Sequence, residues 1–95
     1  MRLRVSRKAR EDLLDIAHFT VERWGEEQAR KYLWLIDSKL RALARHPTAG
    51  IRSDDIRPGY WRAREGRHVI FYRVGAKTLD VIRILHERML PERHL

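Results

Sequence analysis

The chain has 95 residues and a formal net charge of +8, from 21 basic and 13 acidic side chains, with 43% hydrophobic residues and no cysteine. That length supports one domain with one modest core, and the hydrophobic content argues against disorder. The missing cysteine excludes disulfides, cysteine nucleophiles and thiolate metal sites together, and no apolar run approaches membrane-spanning length.

Arg2-Leu-Arg-Val5 alternates and predicts a short strand with Leu3 and Val5 inward, after a start too short and too charged for a signal peptide. A cytoplasmic protein is the expectation. Ser6 suits the N-cap of a helix running to about Arg23. Ala9, Leu13, Ile16, Ala17, Thr20 and Trp24 make one apolar face, and Glu11, Asp12 and Asp15 lie where the helix dipole favours acids. Gly25 ends this helix. A second helix follows at once, about Glu26 to Arg45, with Ala29, Tyr32 or Leu33, Ile36, Leu40, Leu43 and Ala44 buried, and His46-Pro47 stopping it. So tight a link makes the pair an antiparallel helical hairpin.

Residues 46–59 are turn-rich, a loop in which Ile51 and Ile56 are expected to tack onto the core. Tyr60-Trp-Arg-Ala-Arg64 reads as a strand with Tyr60, Arg62 and Arg64 on one face and Trp61 and Ala63 on the other. Glu65-Gly66-Arg67 turns it into a hairpin of strands 68–74 and 79–85 around Gly75-Ala-Lys-Thr78. Val69 and Phe71 oppose Ile70, Tyr72 and Val74. Leu79, Val81 and Leu85 oppose Ile82 and Ile84. With both faces apolar, both should be covered. Beyond Leu85 the chain is expected to trail off.

The fold class is therefore α+β, ordered β-αα-βββ, with a helical hairpin on one face of a mostly antiparallel four-stranded sheet and a single domain over 1–95. Two helices cover only one face. Residues 57–88 also carry eight basic side chains against three acidic ones. An apolar face rimmed by arginine marks a partner site, and its charge asks for an acidic partner, nucleic acid or polypeptide.

The order of elements and several strings resemble the ParE-type toxins of the RelE/ParE superfamily, from bacterial type II toxin–antitoxin systems. The strings are Ser6-Arg-Lys-Ala9 with Asp12-Leu13 and Ile16; Trp24-Gly25 with Ala29 and Tyr32; Leu43-Ala44 with His46-Pro47 and Gly50; Ile56-Arg-Pro-Gly-Tyr60; His68-Val-Ile-Phe-Tyr-Arg73; and Ile82-Arg-Ile-Leu-His-Glu-Arg-Met89 with His94-Leu95. The resemblance implies a non-catalytic inhibitor of DNA gyrase. It also implies neutralisation by a cognate ParD-like antitoxin with a ribbon-helix-helix DNA-binding half, so that DNA is met only indirectly, through the antitoxin.

An antitoxin tail with apolar anchors and acids would meet the demand of the open face, with Tyr60, Arg62, Arg64, Arg73, Arg83 and His86 as candidate contacts. The alternative is a RelE-like ribosome-dependent mRNA endonuclease. Cutting RNA through its 2′-hydroxyl needs a general base, a general acid and cationic stabilisation of the phosphorane. In this chain those roles would fall to His68, His86, Arg62 and Arg83. Yet Val69 stands where the interferases have Arg, and no tyrosine follows the last strand.

The histidines are expected to be structural groups at a sheet end, and five scattered histidines without cysteine predict no metal and no cofactor. A plain nucleic-acid-binding module using Arg62, Arg64 and Arg83 ranks below both, because the sequence offers no regularly spaced aromatic platform.

Overall fold

The computed structural model describes residues 1–95. Strand β1 (Arg2–Val5) leads into helices α1 (Arg7–Trp24) and α2 (Glu26–Arg45), followed by strands β2 (Ile51–Arg52), β3 (Tyr60–Glu65), β4 (His68–Val74) and β5 (Thr78–His86). The sheet order is β1-β5-β4-β3-β2. β1 runs parallel to β5 and every other pair is antiparallel. The sheet thus has five strands where four were expected. The additional strand is two residues long, too short for any alternation to signal it.

The helices form where the capping chemistry places them. Ser6 Oγ accepts the Ala9 N–H at 3.0 Å and donates to the Ile82 carbonyl at 2.7 Å, so one hydroxyl caps α1 and ties it to β5. Gly25, at φ +89°, makes the whole link to α2, a backbone conformation that side-chain-bearing residues rarely adopt. Ala9, Ile16, Ile36, Leu40 and Leu43 pack on Ile70, Tyr72, Leu79, Val81 and Ile84 in one core. Leu13 packs against it half-buried. Trp24, expected on the same stripe, is 67% exposed, because the last turn of α1 reaches the mouth of a groove at the sheet's end.

A β-bulge corrects the facing of the last strand. Tyr72 pairs with Val81 and Phe71 with Arg83, leaving Ile82 as the additional residue. Ile84 therefore joins Leu79 and Val81 toward the helices, and Leu85 turns to the opposite face. Phe71 shares that opposite face, and both are buried, at 3% and 1% exposure. The second face is accordingly not bare. The chain does not trail off after β5 but returns: the Glu87 N–H binds the Arg67 carbonyl, Pro91–Arg93 forms a 3₁₀ turn, and Arg57 and Arg83 donate to the Leu95 and His94 carbonyls, each at 2.8 Å.

The 46–59 segment also packs differently from expectation. Ile51 is 60% exposed and Ile56 half-buried, whereas Ser53 is fully buried. Ser53 earns that position by hydrogen bonds, since its N–H meets the Tyr60 carbonyl and its hydroxyl accepts from Arg62 at 2.6 Å. Gly50 adopts an ordinary φ of −79°, so its constraint is space: a Cβ there would meet the Tyr72 hydroxyl and, at 2.7 Å, the Arg62 carbonyl.

Leu40 is 3% exposed at the centre of the core. Leu40→Ala should cost about 2–5 kcal/mol in urea unfolding. A loss under about 1 kcal/mol would mean that the hairpin does not form its core against the sheet.

Candidate functional site

β1 ends at Val5, level with Val81, so β5 loses its neighbour halfway along. α1 fills the gap. Asp12, 8% exposed, accepts the Ile84 N–H at 2.9 Å through Oδ2, and both its oxygens accept from the Arg83 fork, Nε and Nη2, at 2.8 Å each. The pair is nearly dry, with side-chain exposures of 14% for Arg83 and 10% for Asp12. The Asp12 hydrogen bonds hold the Arg83 pKa above its ordinary value. Asp12 is thus a buried clasp rather than a dipole-favoured surface acid. Its spacing from Ala9 and Ile16, three and four residues, was the signal: an acid on the apolar stripe.

The candidate contacts fall into three places. By strand register, Tyr60, Arg62, Arg64 and Arg73 stand on the face away from the helices, since their neighbours Trp61 and Ala63 and the cross-strand partners Tyr72 and Ile70 face the core. Arg73 is exposed, with its guanidinium 6.0 Å from the centre of the Tyr60 ring. Arg62 meets the Ser53 hydroxyl, and Arg64 pairs with Glu87 at 2.7 Å. Arg62 and Arg73 have no carboxylate within 4.0 Å. Arg83 leaves this group, because its side chain turns around the β5 edge to Asp12.

His86 leaves it too, since it is paired with His68 at the helix-side end of the hairpin. The two rings meet edge to face, with centroids 5.4 Å apart. Tyr32 of α2, a residue given only a core role from sequence, fixes their chemistry. Its hydroxyl lies 2.9 Å from the Glu65 carbonyl and 2.6 Å from His68 Nδ1. The carbonyl can only accept, so the single phenolic proton goes there and His68 Nδ1–H donates to the Tyr32 oxygen. His86 Nδ1 accepts the Arg88 N–H at 3.2 Å, which leaves His86 Nε2 protonated. Burial above all holds His68 down to about 4, so it is neutral at pH 7.

Residues 3–91 match the family model described as ParE toxin of type II toxin-antitoxin system, parDE. The Toxin ParE1 of Caulobacter vibrioides is 41% identical over 92 residues, covering 97% of this chain and 95% of that protein. The Toxin ParE1 of Mycobacterium tuberculosis is also 41% identical over 92 residues, covering 96% and 94%. Among solved structures, a chain of the chromosomal ParDE TA system from P. aeruginosa superimposes with a TM-score of 0.78 at 28% identity, covering 90% of this chain and 95% of that one. The toxin-antitoxin complex RelBE2 of Mycobacterium tuberculosis contains a chain of the same fold, with a TM-score of 0.64 at 21% identity and the same coverages.

Two helices packed on a mixed five-stranded sheet are the architecture that this chain shares with those ParDE and RelBE2 chains, a RelE/ParE-type toxin fold. Within that superfamily, the chain belongs to the ParE toxin family of type II toxin–antitoxin systems.

His68 supplies a pH test. Its folded pKa lies below the unfolded value of about 6.5, so its contribution is present above that value and is lost as pH falls toward 4. The shift caps the effect near about 3 kcal/mol, and partial exposure reduces it to about 1–2. Between pH 6.5 and 4, the wild type should lose that much more stability in urea than His68→Gln. Parallel pH profiles would mean that His68 is not buried neutral.

Proposed function

We propose that the protein is a ParE-like toxin that inhibits DNA gyrase by binding, without covalent chemistry of its own, and that a cognate ParD-like antitoxin of ribbon-helix-helix type neutralises it in the cytoplasm. The observation that carries this reading over mRNA cleavage is the dispersal of the four candidate catalytic groups. His68 and His86 face the helices with their Nδ1 atoms committed to hydrogen bonds. Arg62 stands on the opposite face against Ser53, and Arg83 is spent on Asp12. Phosphorane stabilisation needs cations beside the acid–base pair, and the two expected from the sequence point elsewhere; the cations that share a groove with the histidines are Arg23, Arg67 and Arg88. DNA enters the system through the antitoxin's own DNA-binding half.

The cations of β3 and β4 support an acidic antitoxin segment lying across the open face or pairing with its edge. Arg62 and Arg73 form no ion pair, since Asp80, opposite Arg73 in the register, is paired with Arg4, and Tyr60 offers a ring with a polar tip beside Arg73. The exposed Arg64 can exchange Glu87 for a partner's carboxylate. Arg83 and His86 fit this role less well, the one by its clasp and the other by its face.

Expressed alone, the protein should arrest replication and induce DNA-damage signalling while messages stay intact, and purified toxin should inhibit gyrase supercoiling. Codon-dependent message cleavage in a purified translation system, with supercoiling untouched, would establish the interferase reading instead. For the antitoxin face, Arg73→Glu should weaken the complex by about 2–5 kcal/mol and Lys39→Glu on α2 by under about 1. Calorimetric titration of both variants, each with native circular dichroism, reads this directly. Equal losses would move the interface to the helices.

A further inference from the structure

The sheet end that holds the histidines opens into a groove of about 770 Å³, a volume suited to a small organic ligand. A second recess shares Phe19, Trp24, Arg67, His68 and His86 with it. The antitoxin face read above lies on the other side of the sheet.

Its walls are aromatic. Phe19 and Trp24 are 54% and 67% exposed, a large apolar area to leave in water on the last turns of α1. The Arg23 guanidinium lies over the Phe19 ring, 5.4 Å from its centre, so the ring is presented beside a planar cation. Arg23 and Arg88 have no carboxylate within 4.0 Å, and Arg67 shares Glu87 with Arg64. On the acidic side, Asp12 is neutralised by Arg83, which leaves Asp15 as the one unpaired acid of the lining. The groove is net positive, and arginine forks fit phosphate oxygens.

The floor is polar in a directional way. With Nδ1–H of His68 given to Tyr32 and Nδ1 of His86 taken by the Arg88 N–H, only the Nε2 atoms remain for a ligand. His68 presents a lone pair and His86 an N–H, on rings that meet edge to face with centroids 5.4 Å apart. One acceptor and one donor suit the mixed acceptors and donors of a heteroaromatic base.

We propose that this groove binds a nucleotide unit, with the base against Phe19 and Trp24, its edge on the His68–His86 pair, and its phosphate on Arg23 and Arg88. An acidic peptide would use the cations equally well. It would leave the two exposed rings, Phe19 and Trp24, without a planar partner. The unit can come from a free mononucleotide or from a single-stranded stretch of nucleic acid, and both present the same chemistry.

The test is titration of the full-length ¹⁵N-labelled protein with AMP, with hexa-deoxyadenylate, with inorganic phosphate and with a Glu-rich peptide. AMP and the hexamer should shift the Trp24 indole and the amides of residues 66–68 and 86–88, and phosphate at equal concentration should leave the indole unmoved. Phe19→Ala and Arg23→Ala should each weaken AMP binding about tenfold or more, with spectra as dispersed as the wild type. Trp34→Ala, an exposed aromatic beside Arg30 and Lys31 on α2, should leave it unchanged. A hexamer binding about tenfold tighter than AMP identifies a strand as the source, and equal affinities identify the free nucleotide. Absence of saturable shifts with both, shifts reproduced by phosphate alone, or tighter binding of the Glu-rich peptide at these residues would each overturn the proposal.

Discussion

Where β1 stops, β5 has a free edge inside the molecule, and the Asp12 carboxylate closes it. One side chain accepts the Ile84 N–H and both arms of the Arg83 fork, so it replaces the missing strand's acceptor and neutralises the Arg83 guanidinium. The Ser6 hydroxyl does similar work at the N-cap of α1, on the Ile82 carbonyl. Between them lies the bulge that turns Ile84 toward the core and sends Arg83 around the edge. The position of α1, the facing of β5 and the composition of the open face therefore depend on one buried carboxylate.

That dependence divides the arginines by job. Arg83 holds the fold together, and with Arg57 it also holds the returning C-terminal segment. Arg62 secures the buried Ser53 and with it the turn that carries β2. Beside exposed aromatic surface, the forks without a carboxylate partner are Arg73 next to Tyr60 and, at the other end of the molecule, Arg23 and Arg88 near the histidines. Net charge draws an acidic partner in, and local forks of this kind decide where it sits.

Much of this fold is legible in the sequence. Ser6, Gly25 and Pro47 mark the helix ends, and α2 begins and ends where its periodicity places it. The parity of β3 separates Tyr60, Arg62 and Arg64 from Trp61 and Ala63 correctly. Three features escape for physical reasons. β2 is too short to have a period. The bulge at Ile82 breaks the alternation from within, so Ile84 and Leu85 exchange faces. Long-range polar partners such as Asp12 with Arg83, 71 residues apart, leave no local trace except an acid on an apolar stripe. The histidine pair was visible as two strand ends facing each other, but its tautomers needed Tyr32, which helical spacing marks only as core. Trp24 shows the reverse error, since its spacing continues the stripe past the point where the sheet ends.

The claim on which the rest stands is that Asp12 and Arg83 act as one buried unit. A double-mutant cycle in urea unfolding, with Asp12→Ala and Arg83→Met alone and together, measures it most directly. Each single substitution strands a buried partner and should cost about 3–5 kcal/mol, whereas the double variant should recover much of that, giving a coupling of about 2 kcal/mol or more. A coupling under about 0.5 kcal/mol, with the two losses simply adding, would show that the two residues are independent and that α1 is held to β5 by something else.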